Sequence, residues 1–278
     1  MSDAQASGSQ QHYSMADLLR IMQRLRDPES GCPWDLKQDF ASIVPYTLEE
    51  CYELADAIGQ NDLPHIADEL GDVLFQVVFY SQLGSEQGAF DFSSVVDGIA
   101  RKLLRRHPHV FADGAVEGRV SQTVTTAQVK ERWEAIKQEE RAERAGTEGG
   151  ILDDVPNALP ALSRAQKLQK RAAGVGFDWP DAEGVIAKLE EELAELKSAL
   201  DAGSSDATAE ELGDVLFTVV NMTRRCGLDA EAVLRQANQK FEARFQHMER
   251  AALEAGSGLA QESLQQLEQR WQAAKSDD

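Results

Sequence analysis

The chain has 278 residues and a formal net charge of −20, with 42% hydrophobic and 27% charged residues. This composition is typical of a globular protein with a hydrophobic core, and no apolar segment reaches the length needed to cross a bilayer. The negative charge argues against binding along DNA or RNA, because polyanion binding requires clustered Lys and Arg. We therefore expect neither a nucleic acid polymer nor a membrane among the partners of this protein.

Residues 1–14 are polar and contain no hydrophobic stretch, which predicts a disordered tail rather than a signal peptide. Three cysteines, Cys32, Cys51 and Cys226, are widely separated and form no CxxC pair. An odd number of scattered cysteines is typical of reduced thiols, so we expect a cytoplasmic protein.

The chain repeats itself at an offset of 142 residues. The segment LGDVLFQVV, residues 70–78, aligns with LGDVLFTVV, residues 212–220, and differs from it at one position. Four acids of the first half fall on four acids of the second half without a gap, namely Glu50, Glu53, Glu69 and Asp72 on Glu192, Glu195, Glu211 and Asp214. This self-similarity predicts a tandem duplication of one domain.

Helical periodicity runs through nearly the whole chain, and no alternating strand pattern bounded by turns stands out. A leucine stripe at helical spacing, Leu193, Leu196 and Leu200, is one example. The charged, glycine-ending stretch at residues 137–150 predicts a linker. We therefore predict an all-α protein, a tandem repeat of two four-helix-bundle-like domains at residues 15–136 and 151–278.

The recurring acids predict a metal site in each half. Residues three or four apart share a helix face, so Glu50 and Glu53 project together, as do Glu69 and Asp72. If the two helices pack antiparallel, the four carboxylates converge and repel one another unless a cation lies between them. A glutamate-rich helix alone is more often a solvated face, but recurrence of both pairs favours metal binding. Oxygen ligands without Cys or His favour hard cations, so Mg²⁺ is the predicted cofactor, with Mn²⁺ as the alternative.

The acidic pattern, EExxE followed by ExxD, resembles that of the MazG family of nucleoside triphosphate pyrophosphohydrolases. The resemblance extends over nearly the whole chain through GCPWDLKQ, RRHPHVFAD, RWEAIK, VGFDW and KFEARF. It implies two all-α MazG domains in an Mg²⁺-dependent, ATP-binding homodimer. It also implies hydrolysis of ribo- and deoxyribonucleoside triphosphates to the monophosphate and pyrophosphate, in a nucleotide-pool housecleaning role.

The resemblance also implies roles for individual residues of the second half. The implied metal ligands and catalytic acids are Glu192, Glu195, Glu211 and Asp214. The implied substrate-binding residues are Lys188 and Glu191 on the same helix, Lys240 and Arg244 for the phosphates, Trp271 for stacking on the base, and Asn221 for the nucleoside. The first-half set, Glu50, Glu53, Glu69 and Asp72, forms a second candidate metal site, in a half that the resemblance implies to be structural or regulatory.

A non-catalytic function is the alternative that the residues leave open: a nucleotide-sensing or toxin–antitoxin-associated regulator that binds partners through its helices. Loss of the acids would favour it, but both sets are intact. The first half also keeps Lys102, Arg106 and Trp133, which parallel Lys240, Arg244 and Trp271, so the residues alone allow activity in either half. A GxxxxGK loop is missing from the sequence, which excludes a P-loop NTPase.

Overall fold

The computed structural model describes residues 12–111, 114–118, 124–145 and 150–276. Every regular element among these residues is helical, which confirms the predicted all-α class. The chain divides into two compact units, Met1–Glu140 and Arg141–Asp278. The predicted disordered tail falls mostly on residues 1–11, and part of the predicted linker falls on residues 146–149; both stretches lie outside the described residues.

The described part of the first unit contains α1 (Met15–Leu25), α2 (Phe40–Gln60), α3 (Leu63–Glu86), α4 (Phe92–Arg106) and the start of α5 (Thr126–Ala145). A short 3₁₀ turn at Asp35–Lys37 precedes α2. Helix α3 is central, because it packs against α1, α2 and α4. Helix α5 continues to Ala145, so the first part of the predicted linker is helical.

The apolar core of the first unit forms where α1 and α2 cover α3. Its buried members are Met22, Ile43, Val78, Phe79 and Leu83, each at most 4% exposed. Phe79 and Leu83 lie four residues apart and therefore share one face of α3. Burial of each large side chain contributes about 1.5–3 kcal/mol. This core holds the second half of α3 in place and so positions the acids in its first half.

The second unit repeats the same order of helices: α6 (Ala161–Ala173), α7 (Ala182–Ala202), α8 (Ser205–Arg225), α9 (Ala230–Glu254) and α10 (Leu264–Ser276). Helix α8 packs against α6, α7 and α9, as α3 packs against α1, α2 and α4. The two units differ where α4 and α9 end. Helix α4 stops at Arg106, because a proline at position 108 disfavours helical geometry at the preceding residue, whereas α9 continues past the equivalent Arg244 to Glu254.

Each acid-bearing helix pair is joined by a two-residue loop. Asn61 follows the end of α2, with φ 57° and ψ 30°, and the equivalent Gly203 follows the end of α7, with φ 67° and ψ 24°. Asn and Gly tolerate this left-handed conformation, which turns the chain sharply at a helix C terminus. Asp62 and Ser204 then cap the next helix by accepting a backbone N–H from its first turn. Such short loops make each pair an antiparallel hairpin.

The second unit leaves several large apolar side chains of α8 uncovered. Leu212 is 46% exposed, Leu216 57%, Phe217 42% and Val219 43%, although Val220 is buried. One face of α8 therefore packs inside the unit, while another presents apolar surface. Among the described residues, no helix combines the length and the apolar character that a membrane crossing requires.

Candidate metal centre

The α2–α3 hairpin brings together acids that are distant in sequence. Glu50 lies on α2, and Glu69 and Asp72 lie on α3. At a rise of about 1.5 Å per residue, Glu50 and Asp72 are at similar heights above the loop. One carboxylate oxygen from each of the three residues lies within 4.8 Å of the other two. Glu53, the fourth predicted acid, is exposed and lies outside this group.

The α7–α8 hairpin forms the equivalent group in the second unit. Carboxylate oxygens of Glu192, Glu211 and Asp214 lie within 4.8 Å of one another. Glu192 is only 4% exposed, so its carboxylate is held inside the hairpin. Glu195 is exposed and lies outside this group, like Glu53 in the first unit. The structure thus brings together three of the four predicted acids in each half.

The acids of each group repel one another. Burial, followed by the negative charges of Asp72, Glu53 and Glu69, raises the pKa of Glu50. The pKa of Glu211 is raised in the same way, by burial and then by the neighbouring acids of its own hairpin. Both shifts mean that the folded chain disfavours the charged carboxylates, and a bound cation would relieve this repulsion.

Glu69 carries a buried oxygen that has no hydrogen-bond partner among the described residues. His65, one turn earlier on α3, places its Nε2 atom 2.8 Å from Oε1 of Glu69. The other oxygen, Oε2, is buried and unpaired. Glu69 itself is 7% exposed, so solvent compensates little for the missing bond. His65 was not among the predicted site residues, although its four-residue spacing from Glu69 was a usable signal.

Glu192 in the second unit has a different basic partner. Nζ of Lys188 lies 2.8 Å from Oε1 of Glu192 and 2.9 Å from Oε1 of Glu191. Hydrogen bonds to Glu192 and then to Glu191 raise the pKa of the Lys188 ammonium group. In the first unit, the position equivalent to Lys188 is Tyr46. The second acid group therefore has a permanent positive charge on its hairpin that the first lacks at the same place.

Both acid groups fit a divalent cation. Their donor atoms are carboxylate oxygens, the ligands that hard cations such as Mg²⁺ and Mn²⁺ prefer. The unpaired buried oxygen of Glu69 and the raised pKa of Glu50 are features that a cation would compensate. Glu50, Glu69 and Asp72 would hold it in the first unit, and Glu192, Glu211 and Asp214 in the second.

The predicted phosphate and base residues of the second unit lie on α9 and α10. The guanidinium carbon of Arg244 lies 5.7 Å from the centre of a Trp271 ring. Lys240, one turn before Arg244 on α9, is exposed. Trp271 also borders an open cavity of about 930 Å³, which is otherwise lined mainly by apolar side chains: Phe241, Phe245, Met248, Leu253, Leu264 and Leu267. The structure thus brings Arg244 and Trp271 together beside an apolar cavity.

Asn221, the predicted nucleoside contact, lies in the interior of the second unit. It is 3% exposed, and its Oδ1 atom accepts a hydrogen bond of 3.3 Å from Nη2 of Arg224. Its amide is therefore bonded to the protein itself.

In the first unit, Arg106, which parallels Arg244, and its neighbour Arg105 both contact Glu140. Arg105 donates to Oε1 of Glu140 through Nε, at 3.1 Å, and through Nη2, at 2.5 Å. Arg106 donates through Nε to Oε1 of Glu140, at 3.2 Å, and through Nη2 to Oε2. Glu140 is 8% exposed. This residue lies in the predicted linker, and nothing in its local sequence pattern reveals two arginine partners more than thirty positions away.

Trp133 is held against the end of α4. Its indole N–H donates to the backbone oxygen of Arg106 at 2.9 Å, and this carbonyl belongs to the last residue of the helix. The His107 ring lies 5.1 Å from the ring of Trp133, edge to face, and Nζ of Lys137 lies 5.3 Å from its centre. The indole of Trp133 is therefore engaged at its N–H and on its ring.

The fold and these acid groups define a tandem all-α protein with, in each repeat, a group of carboxylates that could hold a metal ion. A family model of the MazG nucleotide pyrophosphohydrolase domain matches residues 38–111 and 181–249, which contain both acid-bearing hairpins. The chain belongs to the MazG family. The predicted family and the predicted enzyme class, a nucleotide pyrophosphohydrolase, are thereby confirmed.

Two curated relatives cover almost the whole chain. The chain is 49% identical over 260 residues to a nucleoside triphosphate pyrophosphohydrolase of Escherichia coli (strain K12), covering 93% of this chain and 95% of the relative. It is 42% identical over 262 residues to the nucleoside triphosphate pyrophosphohydrolase/pyrophosphatase MazG of Thermotoga maritima, covering 94% of this chain and 96% of the relative. The similarity therefore includes both units.

We expect Mg²⁺ to raise the thermal unfolding midpoint, because a ligand that binds only the folded state stabilises it by about 2.7 kcal/mol at 100 times its Kd. Glu69→Gln should reduce this increase. Without divalent cations, the variant should be at least as stable as the wild type, because one charge is removed from a repelling group. Calorimetry in EDTA and in MgCl₂ measures both effects. The control Glu49→Gln removes a neighbouring charge and should keep the full increase; an equal increase in Glu69→Gln would contradict cation binding at that group.

The Glu140 contacts predict a pH dependence of stability. Hydrogen bonds from Arg106, together with those from Arg105, outweigh burial and lower the pKa of Glu140 from about 4.5 to about 2. The stabilisation is therefore fully present above pH 4.5 and is lost as the pH falls through about 2. Urea unfolding of wild type and Glu140→Gln between pH 5 and about 2 should show a smaller decrease in the variant. Parallel curves would exclude a contribution of these contacts.

Proposed function

We propose that the second unit hydrolyses ribo- and deoxyribonucleoside triphosphates, ATP included, to the monophosphate and pyrophosphate, with Mg²⁺ as cofactor. The observation that carries this proposal is the convergence of Glu192, Glu211 and Asp214 within 4.8 Å in a unit that also pairs Arg244 with Trp271. Both curated relatives are named as nucleoside triphosphate pyrophosphohydrolases, which supports the reaction. A nucleotide-pool housecleaning role follows from a reaction that removes free triphosphates.

The acids of the second hairpin hold the cation in this proposal. Glu192, Glu211 and Asp214 supply carboxylate oxygens, and Glu195 adds negative charge next to them. When bound, Mg²⁺ or Mn²⁺ supplies charge neutralisation for the polyphosphate and lowers the pKa of a water molecule. Lys188 orients the Glu192 carboxylate through their 2.8 Å contact and adds a fixed positive charge beside the incoming phosphates.

The substrate is positioned by residues of α9 and α10 in this proposal. Lys240 and Arg244 lie one helical turn apart, so both can face the same polyphosphate. The guanidinium fork of Arg244 matches two phosphate oxygens and stabilises charge as the phosphoryl bond breaks. Trp271 offers a flat aromatic surface for the base beside the apolar cavity of about 930 Å³.

The first unit holds a second metal site in this proposal and has a structural or regulatory role. Its acids, Glu50, Glu69 and Asp72, form the same group as those of the second unit, with Glu53 beside them. It lacks the lysine that contacts the second group, since Tyr46 occupies that position.

The three cysteines are free thiols, and a reducing compartment keeps them so. We therefore place the protein in the cytoplasm, where nucleotide pools are found.

The reaction is tested by incubating the protein with each NTP and dNTP plus Mg²⁺ and separating the products. Monophosphate and pyrophosphate should form. Glu192→Gln should lower kcat/KM at least about 100-fold, because metal ions supply several kcal/mol of transition-state stabilisation. The matched variant Glu50→Gln, at the equivalent position of the first unit, should retain most activity. Diphosphate and phosphate as products, or no turnover, would contradict the proposal and favour a non-catalytic regulator.

We also propose that the chain forms a homodimer through the apolar face of α8. Leu216 and Phe217 expose 57% and 42% of their surface in a single chain, and exposed apolar patches commonly mark protein interfaces. Equilibrium sedimentation should give twice the mass of one chain for the wild type. Leu216→Glu should shift the population to monomers, whereas Val116→Glu, at a 68% exposed position of the first unit, should not. A monomeric wild type would refute the dimer.

A further inference from the structure

The first unit retains the residue types proposed to bind nucleotide in the second. At an offset of 138 residues, Lys102 falls on Lys240 and Arg106 on Arg244. Trp133 falls on a tryptophan as well. The acid group of the hairpin is also present. The first unit therefore has the parts of a nucleotide site, and the contacts of its arginines decide whether that site is open.

The carboxylate of Glu140 binds two arginines at this site, Arg105 and Arg106. It accepts four hydrogen bonds from Arg105 and Arg106 through both of its oxygens. Two guanidinium forks around one planar anion form the arrangement by which arginines commonly bind a phosphate group. The side chain of Arg106 is 19% exposed and that of Glu140 is 9% exposed, so water competes little with the contact between these two residues, whereas Arg105 reaches Glu140 from the surface with 57% of its side chain exposed. The carboxylate thus takes the place that a phosphate would have.

The same arrangement does not arise in the second unit. At the offset of 138 residues, Arg105 falls on Ala243, so one of the two guanidinium groups is missing. Glu140 falls on Asp278, a shorter acid that lies outside the described residues. Arg244 instead lies over Trp271 beside the apolar cavity.

The tryptophan of the first unit is also engaged. Because α4 ends at Arg106, the carbonyl of this residue lacks a helical partner, and the indole N–H of Trp133 satisfies it. Helix α9 continues past Arg244, so the carbonyl of Arg244 is followed by further helical turns. The early end of α4 therefore anchors Trp133, and α5 carries both Trp133 and Glu140 against the end of α4.

We propose that the first unit contains a latent nucleoside triphosphate site that its own Glu140 closes by standing in for a phosphate group. We call the contact of Glu140 with Arg105 and Arg106 the Glu140 latch. Resting on the proposed function of the second unit, this assigns the closure of the first-unit site to one intramolecular anion. Removing the carboxylate leaves two charged guanidinium groups beside an intact acid hairpin, and a polyphosphate with its cation then replaces the missing charge.

The test counts nucleotides bound per chain. Equilibrium dialysis of the full chain with Mg²⁺ and a triphosphate whose α,β-bridging oxygen is a methylene group avoids turnover. The wild type should bind one nucleotide per chain, in the second unit. Glu140→Gln should bind two, and its additional site should be at least about tenfold tighter than any first-unit binding by the wild type. Adding Glu50→Gln to Glu140→Gln should return the count to one.

The control Asp97→Asn breaks a different ion pair of α4, the exposed 2.7 Å contact with Arg101, and should leave one nucleotide per chain. Circular dichroism checks that each variant keeps its helices. If Glu140→Gln does not fold, Glu140→Asp decides, because it keeps the charge but withdraws the carboxylate from the two arginines. That variant should also gain a second nucleotide.

The outcomes separate the latch from the proposed function. One nucleotide per chain in a folded Glu140→Gln, or two in the wild type, would overturn the latch and leave the proposed function intact. No nucleotide in the wild type would contradict the proposed function, while a gain on removing Glu140 would still support the latch. A gain in the Asp97→Asn control would also overturn the latch, because the effect would then not be specific to Glu140.

Discussion

Like-charge repulsion between carboxylates inside helical hairpins is the constraint on which both units depend. Apolar packing of α3, through residues such as Phe79, holds the helix next to α2 regardless of the cost of bringing Glu50, Glu69 and Asp72 within 4.8 Å of one another. The chain compensates only in part, with His65 on one oxygen of Glu69. The repulsion within each acid group thus lowers the free energy of unfolding, and the same acid group is where a divalent cation fits.

The hairpin loops convert a sequence spacing into this geometry. Asn61 and Gly203 each adopt the left-handed conformation that ends a helix, and the next residue but one already lies in the following helix. A loop with so few residues permits little variation in how the two helices align. The acids on opposite sides of the loop therefore meet at equal heights in both units, and the duplication preserved the loop length together with the acids.

Duplicated domains with the same acids can still differ in function, because the residues around the acids are set by other elements. Lys188 contacts Glu192 where the first unit has Tyr46. Helix α4 stops where α9 continues, so Trp133 caps a helix end while Trp271 lies beside Arg244 and an apolar cavity. Two units of similar helix order thus place different side chains around equivalent acid groups.

Periodicity and repetition within the sequence determined the helical class, the duplication and the acids that face each other, because helix spacing is local and a short loop fixes how neighbouring helices pair. The exposure of Glu53 and Glu195 and the burial of Asn221 depend on how helices rotate against one another, which local spacing does not encode. The contact of Glu140 with Arg105 and Arg106 joins two helices at positions more than thirty residues apart in the sequence. Only the tertiary structure decides such a contact, because the packing of α5 against the end of α4, and not any local sequence pattern, brings the charges together.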